Sequence, residues 1–235
     1  MRIRSGKIFI ATLFSAFACA TVLGQAKASS SGELEGVLTQ LDRSSASFKT
    51  AQADFVWEQY QKVVDETDVQ KGKVAFRHDK DTQMVADITE PERKIVLFNE
   101  GRIRFYQPKI EQVTEYDAGK NRDEVESFLV LGFGSRGHDL IKSFTVKYQG
   151  KETVDGVKTV KLELLPTSAR VRNMFERIIL WIDPERDVSI KQQAFEPGGD
   201  YRIAKYSNIR TNSRLPEDTF KLKTNGKTKF VHPNS

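Results

Sequence analysis

The chain has 235 residues, 38% of them hydrophobic, and 37 Lys and Arg against 32 Asp and Glu, a formal charge of +5. Four of the bases (Arg2, Arg4, Lys7 and Lys27) lie in the first 28 residues, so the other 207 carry 33 bases against all 32 acids, a balance that gives no support to nucleic-acid binding. The one cysteine, Cys19, lies there too, which excludes disulfides, thiolate metal sites and cysteine nucleophiles from residues 29–235.

In chain order, the basic start, the apolar stretch from Ile8 to Leu23 and the "AKA" at Ala26 to Ala28 predict a secretory signal peptide over 1–28. The stretch falls short of the about 20 strongly apolar residues that span a bilayer. Bulky Phe17, two positions before Cys19, fits a lipid-modified cysteine poorly. Residues 29–235 suit one domain, large enough to bury a core without staples.

From Glu33 to Phe48 the residues Leu34, Val37, Leu38, Leu41 and Phe48 recur at helical steps. The period then changes to two. Ala53, Phe55 and Trp57 alternate with polar neighbours, and "GKVAF", "QMVADI", "KIVLF", "RIRFY" and "EQVTEY" follow, with a tight turn at "NEG" (99–101). Longer alternating pieces resume at "SFTVKYQG", "VKTVKLELL", "FERIILWID", "VSIKQQAFE" and "DYRIAKYSNI", turned at "VDGV" and "PGGD". About eleven strands joined by hairpins predict an antiparallel sheet, with none of the crossovers of a parallel one. Between the two halves, "NRDEVESFLVLG" reads as a helix and "HDLIKS" as one more turn.

"GFGSRG", Gly132 to Gly137, fits G-x-G-x-x-G, but here the glycines follow a helix and lead into an antiparallel strand, the reverse of a dinucleotide-binding context. We read them as ending one helix and permitting a bend. Ser135, His138 and Asp139 are too close in sequence for a catalytic triad, and no G-x-S-x-G elbow is present. His78 and His232 add no metal-ligand spacing, so neither a metal site nor another cofactor is expected. Most carboxylates of an alternating sheet fall on its solvated face, so no enzyme is expected. The end of the chain, Tyr201 to Ser235, has eight bases against two acids and reads as a solvated face. "SFLVLGFG" is apolar on more than one helix face, which suits a segment buried on more than one side or one that covers a greasy cavity when closed.

The pieces "LEGVLTQLDRSSASF", "ADF", "YQKV", "GKVAFR", "ITEPERKIVLFNEGRIRFYQPKIEQVTE", "LWIDPERDVSIKQQ" and "NSRLPEDTFKL" resemble, in this order over about residues 33–231, the LolA family of periplasmic outer-membrane lipoprotein carriers. The most telling is "FYQPKIEQV" (105–113), followed by the "FLVLG" helix. The resemblance implies an α+β, mainly β fold: an unclosed antiparallel β-barrel of about eleven strands with a lid of two or three helices over an apolar cavity. It implies a monomer that binds acylated lipoproteins, takes them from an inner-membrane ABC exporter and passes them to an outer-membrane receptor or membrane. A periplasmic lipid or lipoprotein sensor on the same half-barrel is the alternative. The family's lid-gating arginine corresponds to Arg77, or to His78 with a shift of one residue; the proline that usually follows is replaced by His78 and Asp79. Alternation selects Phe55, Trp57, Phe76, Val96, Phe98, Phe105, Phe128, Leu129, Leu131, Phe133, Ile179 and Trp181 as lining residues.

Overall fold

The alternating runs form the strands that their period predicts, joined largely by turns whose residues tolerate positive φ. A computed structural model describes residues 22–78, 81–119, 122–129 and 131–233, without the side chains of 22–30, 123, 124, 127 and 128. Residues 1–21 of the expected signal peptide, and the side chain of Phe128, lie outside the described residues.

Helix α1 (Val22–Ser47) leads into β1 (Thr50–Gln61), β2 (Glu66–His78), β3 (Thr82–Glu90), β4 (Lys94–Asn99), β5 (Arg102–Gln107) and β6 (Gln112–Asp117). Helices α2 (Arg122–Leu129) and α3 (Gly137–Ser143) precede β7 (Phe144–Val154), β8 (Val157–Pro166), β9 (Arg177–Asp183), β10 (Val188–Phe195) and β11 (Tyr201–Thr211). Helix α1 starts before the expected Glu33, since no proline interrupts 22–47. The β4–β5 and β7–β8 hairpins turn on Glu100–Gly101 and Asp155–Gly156, all four at positive φ (54°, 71°, 49° and 80°), as two-residue hairpin loops of the right twist require.

With a last short strand, β12 (Lys229–Val231), one sheet in the order β12-β6-β5-β4-β3-β2-β1-β11-β10-β9-β8-β7 contains the described strands, and its edges do not join, leaving an unclosed barrel. Eleven strands are antiparallel as expected. The twelfth, β12, is a short parallel addition to β6 that alternation did not reveal, because three residues are too few to show a period. No helix among the described residues is long and apolar enough to cross a membrane.

The concave face buries two clusters. Ala51, Ala53 and Phe55 of β1 pack with Val74, Phe76, Met84, Ala86, Ile88 and Phe98 of β2–β4, and with Phe133 from the loop after α2. Beneath α1 and α3, Leu41 and Leu140 close over Phe144, Val146, Leu162, Leu164, Ile178, Leu180 and Ile182. The convex face, expected to be solvated, also carries a small cluster. Leu215 and Phe220 of the segment after β11 lie against Ala75 and Leu97, so the end of the chain straps the back of the sheet.

Candidate functional site

A cavity of about 350 Å³ opens on the concave face where β1, β2, β9, β10 and β11 meet. Its wall is built in three rungs. From the rim inward, Gln59 pairs with Arg202 and Asp68, Trp57 with Ala204 and Gln70, and Phe55 with Tyr206 and Gly72. The first rung is polar, whereas the second and third are dominated by aromatic rings. Ala194 and Ala204 leave room around the Trp57 ring, whose centroid is 4.8 Å from that of Phe55. Leu131, Phe175 and Ile178 complete the apolar lining. Burial pushes the Tyr206 hydroxyl up to about 12, against the pull of a hydrogen bond from Trp57.

The roof over the inner end is the segment between α2 and α3. Three polar groups pin its backbone: Gln192 Nε2 donates to the Leu131 carbonyl at 2.7 Å, the Ser189 N–H to that of Gly132 at 2.8 Å, and the Ser45 hydroxyl to that of Gly134 at 3.0 Å. The glycines of "GFGSRG" now have physical reasons. Gly132 and Gly134 have φ of +78°; a Cβ on the first would meet the Ser189 Cβ at 2.5 Å, and one on the second would run into the Phe48 ring. A Cβ on Gly137 would collide with the Leu38 carbonyl, so this glycine lets α3 approach α1. Phe133 stacks on Phe76 and meets Tyr206 edge-on, each at 4.8 Å between centroids.

His138, the histidine of the rejected trio, joins α3 to α1. Its Nδ1 bonds Asp42, its Nε2 lies 3.2 Å from Glu35, and its backbone N–H reaches the Asp42 carboxylate at 3.1 Å. The bond to Asp42, helped by the charge of Glu35, raises the imidazole pKa above its usual value despite desolvation. Desolvation would raise that of Asp42, but the bonds from His138 lower it. Among the described residues no group of three or more His, Cys, Asp or Glu could hold a metal ion.

Of the residues selected by alternation, Trp57 and Leu131 line the cavity. Phe55, Phe76, Phe98 and Phe133 are packed in the adjoining cluster, with Val96 and Leu129 against it. Phe105 shares the face of Val96, its cross-strand partner, but is exposed, edge-on to Tyr116. Ile179 and Trp181 must be corrected. On β9 it is Ile178, Leu180 and Ile182 that face the core, so their neighbours point outward, and Trp181 lies between the Lys161 and Lys191 ammonium groups. Every residue from Ile178 to Ile182 is apolar, so the sequence carried no alternation to choose a face.

Arg77 must be corrected as well. With Ala75 it belongs to the convex face, its guanidinium 4.7 Å from the centre of the Phe220 ring and 3.2 Å from Gln83 Oε1. His78 points the other way, its Nδ1 3.1 Å from the Thr82 hydroxyl, and lines a pocket of about 250 Å³ with Glu126 of α2, Ser135 and Arg136 just before α3, and Asp139 within it. Sequence reasoning missed Gln192, Ala194, Ala204 and Tyr206. A visible signal was the pair of alanines at strand positions where large residues are usual. A larger groove, about 940 Å³, lies under the strap on the convex face, but its walls carry the ion pairs Lys73–Asp54, Arg93–Asp87 and Lys223–Asp218, which suit no apolar guest.

The model of the outer membrane lipoprotein carrier protein LolA matches residues 46–223. The chain belongs to the LolA family. No curated protein matches its sequence. Among solved structures, an uncharacterised conserved protein from Thermus thermophilus is similar with a TM-score of 0.56 at 11% identity, covering 85% of this chain and 99% of that one. MucB is similar at 0.53 and 14%, over 85% of this chain and 66% of that one. Pseudomonas aeruginosa MucB in its complex with MucA is similar at 0.50 and 14%, over 81% and 61%. The chain thus spans about two thirds of the MucB chain or less, and at these identities the likeness is one of fold. In the LolA family setting the cavity lies where the half-barrel is concave, and the segment Leu131–Arg136 is part of its lid.

Proposed function

We propose that the protein is a periplasmic carrier, secreted by a signal peptide over 1–28 cleaved from the 29–235 carrier domain. It shelters the acyl chains of lipoproteins between an inner-membrane ABC exporter and an outer-membrane receptor or membrane, acting as a monomer and without a cofactor. The observation that carries this reading is the cavity of about 350 Å³, with a polar rim and an interior lined mainly by apolar side chains, its Gln192 amide paired to the backbone of the lid above it.

The physics asks for such a site. Each buried CH₂ is worth about 0.8 kcal/mol, so a chain of some 14 methylenes represents roughly 10 kcal/mol and does not leave a bilayer unaided. A carrier needs an interior nearly as apolar as the membrane. It must also release its cargo, and a lid whose opening exposes apolar area, offset by the guest, keeps binding reversible.

The test is native mass spectrometry of the protein from its own periplasm, with solvent extraction of what it holds. We expect an acylated peptide or lipoprotein, lost when Leu131 is replaced by Asp. Protein that is always empty and moves no triacylated lipoprotein out of membranes would sink the reading. A sensor of lipids or lipoproteins is the second reading, favoured by the fold shared with MucB, which has been solved with MucA as its partner. Lipid-dependent binding to another protein, without transfer between membranes, would favour it.

A further inference from the structure

The cavity has a rim and an end. At the rim stand Gln59, Asp68 and Arg202; two residues further along β1 and β11 come Trp57 and Ala204, and two further Phe55 and Tyr206. Beyond Tyr206 the same concave face continues through Phe76, Met84 and Phe98, but these residues are buried and do not line the cavity. What fills the space is Phe133. Its ring stacks on Phe76 and meets Tyr206 edge-on, it is 1% exposed, and it stands in the lid segment, which a single antiparallel bridge from Phe133 to Val188 ties to β10.

We propose that Phe133 is the end wall of the cavity and sets the length of acyl chain that it accepts. This rests on the carrier reading above. A chain entering at Gln59 and Arg202 runs past Trp57, Ala204 and Leu131 and stops at the Tyr206–Phe133 contact. A volume of about 350 Å³ stands at the low end of the roughly 300–1,000 Å³ of small-molecule sites, which suits one chain end rather than several chains. Because Gly132 and Gly134 flank Phe133 and three hydrogen bonds hold the loop, the wall keeps its place with the lid closed. Shortening the side chain at 133 extends the cavity toward Phe76, on which its ring now stacks.

The experiment is displacement of anilinonaphthalene sulfonate from the purified protein by saturated fatty acids from octanoate to stearate. For the unmodified protein, each added methylene strengthens binding by up to about fourfold until the chain reaches the wall, and not beyond. Phe133→Leu and Phe133→Ala should both move this break to longer acids. A break that stays in place in both variants overturns the role of Phe133. Binding of no fatty acid by the unmodified protein overturns the carrier reading itself, a distinguishable result. Should both variants fail to fold, the unmodified protein decides the matter: the terminal methyl of bound palmitate should show nuclear Overhauser contacts to the Phe133 and Tyr206 rings. Contacts to Arg202 and Gln59 in their place would overturn the inference.

Discussion

The side-chain amide of Gln192, on β10, donates to the carbonyl of Leu131, in the lid, at 2.7 Å, and both residues line the same cavity. A polar group inside an apolar cavity is costly unless it is paired, so this bond satisfies the amide and holds the lid down at once. It makes, from another strand, the kind of contact with lid backbone that the resemblance assigned to Arg77 or His78.

Replacing Gln192 with Leu should therefore loosen the lid. The Leu131 carbonyl loses its donor, about 1–3 kcal/mol, or a Tm lower by roughly 2–10 °C for a domain of this size. Hydrogen exchange at residues 131–134 should quicken, while the β1–β2 ladder stays protected. Unchanged exchange in the lid would show that Gln192 does not latch it.

Two glycines on either side of the α1–α3 contact give opposite signs in one pair of variants. Gly36, in the middle of α1, has nothing within 4 Å of where its Cβ would stand, so Gly36→Ala should stabilise by about 0.5–1 kcal/mol. Gly137→Ala drives a methyl into the Leu38 carbonyl and should destabilise by about 1–3 kcal/mol as α3 is pushed off α1. Thermal melts of the two variants check the difference. Equal shifts would mean that the α1–α3 contact is looser than it stands here.

The fold was legible where side chains differ between faces and opaque where they do not. Alternation at Ala53, Phe55 and Trp57 placed β1 correctly, because one face is packed and the other partly solvated. At 178–182 both faces are apolar, one packed on the core and one covering Trp181 with lysine stems, and parity could not be read. The strap was hidden for a related reason. Leu215 and Phe220 are two apolar residues in an irregular segment, whose partners Ala75 and Leu97 lie on a face assumed to be wet. Of the cavity, the large residues Trp57 and Leu131 announced themselves. The empty space did not, since Ala194 and Ala204 contribute by what they lack, and their facing each other's neighbours is a matter of register that only the paired strands reveal.

The α1–α3 contact should weaken in alkali. The His138 pKa is raised in the fold, so its contribution is complete below about pH 6.5, its ordinary value, and is lost as pH rises through the raised one. The Asp42 pKa is lowered, so its contribution is present above the ordinary 3.8 and lost as pH falls through the lowered value. The Tm difference between the unmodified protein and His138→Gln should thus be largest near about pH 5, where both partners are charged, and should shrink at about pH 9. Glu35 facing the ring strengthens this sign, and Arg136 near Asp42 adds to the lowering there. A difference that grows with pH would refute it.

The two tryptophans make the two faces of the sheet separately observable. Trp57 lines the cavity, whereas Trp181 lies on the outer face, 4.9 Å from Lys161 Nζ and 4.3 Å from Lys191 Nζ. A guest in the cavity changes the surroundings of the first indole and leaves those of the second alone. Addition of palmitate should change the intrinsic fluorescence of the unmodified protein and of Trp181→Phe in the same way. In Trp57→Phe the remaining emission should be indifferent to the fatty acid, even where displacement of a bound dye shows that the acid still enters. A response that follows Trp181 would move the guest to the outer face of the sheet, away from the lid that Gln192 holds.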